Sequence, residues 1–260
     1  MTDSPIVIID NNDHLLQSFH TLTTRTIINC RLRLIPGEEH LLVDLLERGV
    51  PLIPSATAQL CSRSKVHQAR IFSEFMLPNT VVAYDVNSLL GSISTFNAND
   101  IRDVVIKRDR KNGGIGIHRF ASIEDVYNLA ELGSLAYPFV IQPLIRSFKD
   151  IRLLVLGDYT EAYERNNPNN FRKNLHCGGS SKPVEISDDL LGFCQNVLQR
   201  GVFPYAHIDI MEMPDGRHYL TEINLRGGLK GAKINSGRYQ QLIDDIHKRM
   251  ITSLTAKITL

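Results

Sequence analysis

Short apolar runs alternate with helical patterns over the first part of the chain. Ile6 to Ile9 is a continuous β-branched run, the pattern of a buried strand. Asn12 or Asp13 is placed to cap a helix through Leu15, Leu16 and Phe19. Ile27 and Ile28 predict a second strand. Pro36-Gly37 precedes a helix with Leu41, Leu42, Leu45 and Leu46 on one stripe, and Val50 to Pro54 predicts a short strand ending at proline. The result is a small βαβαβ-like unit over residues 1–55. It carries no GxGxxG, which argues against dinucleotide binding.

Ser64 then caps a helix with Ala69, Phe72 and Met76 facing inward, ended by Leu77-Pro78-Asn79. From Val81 to Phe120 the pattern predicts strands. Ser122, with Asp125 three residues on, opens a helix through Val126, Leu129 and Leu132. Phe139 to Ile145 is a β run interrupted by Pro143, and Ile151 to Val155 is another strand. Ser187 opens a helix with Leu190, Cys194, Val197 and Leu198 on one face, and a last amphipathic helix covers Tyr239 to Leu254. Helices mixed with antiparallel hairpins predict an α+β, mixed α/β fold rather than a parallel barrel.

Composition narrows the class. Of 260 residues, 43% are apolar and 22% charged, which excludes a disordered chain, a collagen and a coiled coil. A net charge of +1 removes the electrostatic argument for nucleic acid or an anionic membrane as partner. The start, MTDSPIVIIDNND, has no secretory pattern, and no apolar stretch is long enough to span a bilayer. Cys30, Cys61, Cys177 and Cys194 form no CxxC, so reduced thiols in the cytoplasm are expected.

Two stretches carry candidate chemistry. In residues 206–224, AHIDIMEMPDGRHYLTEIN, two alternating strands flank the turn Pro214-Asp215-Gly216. With a two-residue loop, Asp209 sits opposite Leu220 and diagonal to Glu222 on one face; a longer loop or a bulge changes that register. His207 is expected to face away from Asp209. Asp209, Glu222 and Asn224 then form an all-oxygen site for Mg²⁺ or Mn²⁺, completed by phosphate and water, or else an ordinary solvated hairpin face. In residues 104–120, VVIKRDRKNGGIGIHRF, a strand with Lys107 runs into a loop with Gly113, Gly114 and Gly116 and then a second strand. Backbone N–H groups of such a loop can cradle phosphate, and a flexible hairpin is the other reading. It is not a P-loop, because GK[ST] is missing.

These stretches recur in an order that resembles the ATP-grasp enzymes, most of all the RimK-type (glutamate ligase-like) carboxylate–amine ligases. The order is strand–Lys–glycine hairpin, YPFVIQPLI, KDIRLLVLGDYTEAYERNN, FRKNLHCGG, then HIDIMEM and LTEIN, over about residues 55–235. The resemblance implies an ATP-grasp fold: a short N-terminal domain (1–55), a first subdomain with the glycine loop (56–140) and a C-terminal subdomain with the metal site (141–260). It further implies that Lys65, Lys107 and the glycines meet ATP. Gln142, Pro143, Leu144 and Ile145 form the adenine hinge, and Asp150 lies near the ribose. Arg172, Lys173 and Asn174 lie beside the nucleotide, with no role assigned to His176 or Cys177 next to them. Arg152 holds phosphate or acyl phosphate, and Arg226 holds a substrate carboxylate or the acyl phosphate. Asp209, Glu222 and Asn224 bind two Mg²⁺ or Mn²⁺ ions.

Two departures stand out. Pro143 occupies the place of a hinge glutamate, and Leu225-Arg226-Gly227-Gly228 replaces Ser-Pro-Gly after the asparagine. The implied activity joins a carboxylate to an amine through an acyl phosphate, releasing ADP and phosphate. An ATP-grasp phosphotransferase and a non-catalytic nucleotide-binding regulator are the alternatives. The implied partners are a small amino acid or carboxylate, or a peptide or carrier-protein tail, and a homo-oligomeric assembly, dimer or tetramer.

Overall fold

The computed structural model describes residues 5–111, 113–173, 175 and 178–259. The N-terminal unit runs β1 (Val7–Ile9), α1 (Asn12–Ser18), β2 (Thr26–Ile28) and α2 (His40–Glu47). β1 and β2 pair in parallel around the α1 crossover. The expected third strand is reduced to one parallel bridge, Ile28 to Leu52. The α1 cap falls one residue early, where the Asn11 side chain accepts from the His14 N–H. Ile9, Leu15, Leu42 and Leu45 form this unit's own small core.

Next come α3 (Ala56–Cys61), α4 (Lys65–Ile71), β3 (Val81–Ala83) and α5 (Val86–Ala98). Helix α5 corrects the expectation of strands throughout 81–120. Its apolar residues Leu89, Ile93 and Phe96 follow helical spacing, and Asp85 and Ser88 close a reciprocal capping box. β4 (Val104–Arg108), β5 (Ile117–Phe120), α6 (Ile123–Glu131) and β6 (Phe139–Pro143) follow, with the Ser122 cap as expected. β3, β6, β4 and β5 form one antiparallel sheet, backed by α5 and α6. The expected boundary at 140/141 therefore falls inside β6, whose ladder with β3 and β4 keeps it in this sheet.

β7 (Lys149–Leu156), β8 (Tyr159–Asn166), β9 (Ser180–Pro183), α7 (Asp188–Gly201), β10 (Ala206–Glu212), β11 (His218–Asn224) and α8 (Ser236–Thr259) complete the chain. Their strands make an antiparallel sheet in the order β11-β10-β7-β8-β9. One largest core joins Leu153, Ile208 and Ile223 of that sheet to Ala69 and Phe72 of the α4 region, Val197 of α7 and Ile243 of α8. Helix α4 touches β3, β6 and β11, so it sits where the two larger sheets meet. Among the described residues no helix is long and apolar enough to cross a membrane.

Candidate active site

Both larger sheets wall a cavity of about 600 Å³. β4 and β6 bring Lys107 and Gln142 to it, β7 brings Asp150 and Arg152, and β10 and β11 bring Asp209 and Glu222.

The β10–β11 hairpin reaches its geometry by a route that alternation alone does not show. Its loop is one residue longer than a two-residue turn, closed by the Met213 N–H on the Arg217 carbonyl at 2.8 Å. Ile210 therefore pairs with Leu220, and a bulge between Asp209 and Ile210 sets Asp209 directly opposite Glu222. Thr221 is the extra residue. The bulge breaks the two-residue period: Leu220 is buried in the core while Glu222, two residues on, faces the cavity. The expected diagonal is thus a direct pair. His207 shares the Asp209 face, as the strand period requires. Its Nε2 meets the Tyr239 hydroxyl at 2.9 Å, and burial lowers its pKa to about 4. A Cβ at Gly227 would stand 2.6 Å from the His207 ring, so only glycine lets the post-β11 loop lie this close.

Four charges interlock at Asp209. Arg152, its register partner on β7, donates from Nε at 2.6 Å and from Nη2 at 2.8 Å. Arg165, on β8 opposite Asp150, donates to Asp209 at 3.1 Å and to both Asp150 oxygens at 2.7 and 3.0 Å. Burial alone would raise the Asp209 pKa. The two guanidiniums outweigh it and hold the carboxyl well below the usual carboxylate range. Arg165 was not singled out from sequence. Its signal is a lone buried arginine whose acidic partner is fifteen residues away, so only the β7–β8 register reveals it.

The expected nucleotide contacts are brought together with some differences. Lys107 Nζ donates to the Thr221 carbonyl at 3.1 Å, and burial pulls its pKa down to about 8. Lys65 is buried behind Glu222, donating to its Oε1 at 3.3 Å and to the Lys111 carbonyl at 2.9 Å. It therefore braces Glu222 and the glycine loop. Gly113 and Gly114 line the cavity with positive φ, whereas Gly116 is held tight because a Cβ there would strike the Lys111 side chain. Gln142, Pro143, Leu144 and Ile145 all line the cavity. The Leu144 N–H is already spent on the Asp103 carbonyl at 2.9 Å, and Gln142 Nε2 donates to Thr80 at 2.8 Å. Arg172 stacks over Phe171 and donates to the Ile117 carbonyl. Lys173 lies over Phe148 and donates to its carbonyl at 2.8 Å. Asn174, His176 and Cys177 lie outside the described residues.

Beyond the metal-type residues the cavity reaches Arg226, Lys230 and Arg31. Arg226 was expected. Arg31 was not, because it arrives from the N-terminal unit and no local pattern marks it.

Asp209, Glu222 and Asn224 supply hard oxygen donors, which suit a hard divalent cation. The Asn224 amide N–H₂ donates to Glu222 Oε1 at 3.0 Å, which leaves the Asn224 side-chain oxygen as the atom for a cation. Asp209 Oδ1 takes one guanidinium hydrogen, so it keeps a lone pair. Among the described residues no three His, Cys, Asp or Glu side chains cluster as a metal site. A cation here would complete its shell with phosphate and water, as Mg²⁺ commonly does.

Residues 62–254 match the family model of the RimK-like ATP-grasp domain. The chain is 27% identical over 207 residues to coenzyme gamma-F420-2:alpha-L-glutamate ligase of Methanococcus maripaludis, covering 74% of this chain and 66% of that one. It is 28% identical over 162 residues to glutathione synthetase of Agrobacterium fabrum, covering 58% and 47%. The match thus spans less than two thirds of either relative. In structure it resembles D-cycloserine synthetase DcsG, with a TM-score of 0.59 at 14% identity over 92% of this chain and 98% of the other. It also resembles a RiPP-associated ATP-grasp ligase of Chryseobacterium gregarium, at 0.57 and 19% over 82% and 67%.

Proposed function

Because the chain belongs to the RimK-like ATP-grasp family, we propose that it is an ATP-dependent carboxylate–amine ligase. One observation carries this reading: Asp209, Glu222 and Asn224 share a cavity with Lys107 and the Gly113–Gly114 loop, each group coming from a different sheet. In this reading Lys107 and the glycine-loop N–H groups take phosphate oxygens. The hinge 142–145 meets adenine, with Ile145 as backbone donor because Leu144 is engaged. Arg172 and Lys173 flank the nucleotide. Asp209, Glu222 and Asn224 hold two divalent ions, Mg²⁺ or Mn²⁺, which when bound neutralise phosphate charge. The cavity lies between two ATP-grasp subdomains, whose boundary we place after β6.

The chemistry needs no nucleophilic side chain. A substrate carboxylate oxygen attacks the γ-phosphorus, the bond to ADP breaks, and an acyl phosphate forms. The amine nitrogen then attacks the acyl carbon, phosphate leaves, and the amine proton passes to solvent. Arg226 and Arg152 stabilise the charge that spreads over the transferring group. A small amino acid or carboxylate substrate, a dimeric or tetrameric assembly and a cytoplasmic setting belong to the same proposal. The test is release of ADP and phosphate from Mg²⁺-ATP with pooled amino acids and small carboxylates. The Asp209→Ala/Glu222→Ala double variant is the control. Amide formation with both products released by wild type alone supports the ligase. Phosphate retained on the product assigns a phosphotransferase, and nucleotide binding without turnover on any pool overturns the catalytic reading.

A further inference from the structure

The segment that leaves β2 is clamped from four directions. The Asn29 N–H donates to the Ile9 carbonyl at 2.7 Å, and Asn29 Oδ1 meets His247 Nδ1 at 2.7 Å. His247 Nε2 in turn meets the Tyr205 hydroxyl at 3.0 Å. Asn12 donates to the Arg31 carbonyl at 3.0 Å and accepts from the Arg33 N–H. The Leu32 N–H donates to Oε1 of fully buried Gln59 at 2.8 Å, and Arg63 donates to the Leu32 carbonyl. The backbone at Arg31 is therefore fixed by α1, α3, α8 and the core.

Its side chain is the opposite. Arg31 lines the cavity, yet its Nε is buried and makes no hydrogen bond among the described residues. Arg63 Nη1 behind it is buried and unmatched in the same way. Among the described residues no carboxylate pairs with Arg31, Arg63 or Arg226. Burial lowers the Arg31 pKa, and the Arg226 charge lowers it further. Arg63 falls to about 10 through burial and the Arg31 charge. Buried donors without acceptors are rare and costly, so the unmatched nitrogens of Arg31 and Arg63, two like charges at a rigid mount, call for an anion. The phosphate groups have their own receptors at Lys107 and the glycine loop. The paired N–H groups of a guanidinium match the two oxygens of a carboxylate.

Resting on the ligase reading, we propose that Arg31, backed by the Arg63 charge, forms a subsite for a second, non-reacting carboxylate, so that the acid activated here carries at least two carboxylates. Arg31 is then a specificity-determining residue supplied by the N-terminal unit.

Calorimetry on the full chain, loaded with Mg²⁺ and a non-hydrolysable ATP analogue, tests this. The probes are succinate, glutarate and adipate, with butyrate as the one-carboxylate control and inorganic phosphate as the simple-anion control. At least one diacid should bind about tenfold or more tighter than butyrate and than phosphate. Arg31→Met should abolish that preference while the analogue affinity stays within about twofold, and Arg31→Lys should restore part of it. The Arg31→Met melting temperature should equal or exceed wild type, because an unmatched buried charge has gone. The proposal is overturned if no diacid exceeds both controls, if Arg31→Met keeps the preference, or if that variant melts lower and loses the nucleotide as well. Failure of wild type to bind the analogue would instead bring down the ligase reading.

Discussion

At Asp209 the cavity wall balances its own charge. Two carboxylates, Asp150 and Asp209, face two guanidiniums, Arg152 and Arg165, and donors meet acceptors at 2.6 to 3.1 Å. At Arg31 the same cavity holds arginine without acid, and its buried Nε meets no acceptor among the described residues. The first arrangement keeps its shape whether or not a substrate is present, so removing one member leaves a buried charge alone. The second is incomplete until a ligand arrives, so Arg31 weighs on stability and counts in binding.

Three experiments press on that contrast. The largest effect is expected from Asp209→Asn, which leaves Arg152 without its carboxylate and removes a proposed metal ligand. Its turnover should fall by about 10³ or more, and urea unfolding should show a loss of about 3–5 kcal/mol. Second, Arg152→Ala and Arg226→Ala should each cost about 10²–10³ in turnover. Only Arg152→Ala should also lower the unfolding midpoint. Equal stability losses in the two variants would erase the distinction between the ends, and a rate within a few-fold of wild type would remove that arginine from the chemistry.

The third and smallest effect concerns Lys107, whose pKa burial pulls down to about 8, against roughly 10.4 when unfolded. Between those values the unfolded chain binds the extra proton, so this residue's contribution makes stability rise with pH. Below about 8 the cost of the buried charge is fully present. Unfolding midpoints at about pH 7.5 and 10 should therefore rise more in wild type than in Lys107→Met. Phosphate affinity should run the other way, weakening as pH rises through about 8. A pH response shared by wild type and variant would assign it to other groups.

Much of the candidate site's placement was legible because its parts lie in short, ordered motifs. Lys107, Asp209, Glu222 and Asn224 could be named from spacing, and Ser64, Ser122 and Ser187 marked helix starts that the structure keeps. What escaped depends on pairing between distant segments. Arg165 takes its meaning from the β7–β8 register, and Arg31 from the packing of a separate unit against the cavity. Helix α5 was hidden for another reason. Its Ser and Asn residues have poor intrinsic helix preference, and what fixes it is the Asp85–Ser88 cap and the apolar face set by Leu89 and Phe96.

The Thr221 bulge has a consequence for how this hairpin tolerates change over time. A residue left outside the β-ladder keeps its carbonyl for another partner, and here that partner is Lys107 of the other large sheet. The tie runs through main-chain atoms, so the side chain at 221 matters only for the hydroxyl's bond to the Asp209 carbonyl at 3.0 Å. Drift at this position should therefore be permissive in amino-acid type and strict in chain length. A substitution leaves the link between the sheets standing, whereas deleting this single residue returns the strand to regular pairing and withdraws the carbonyl that Lys107 holds.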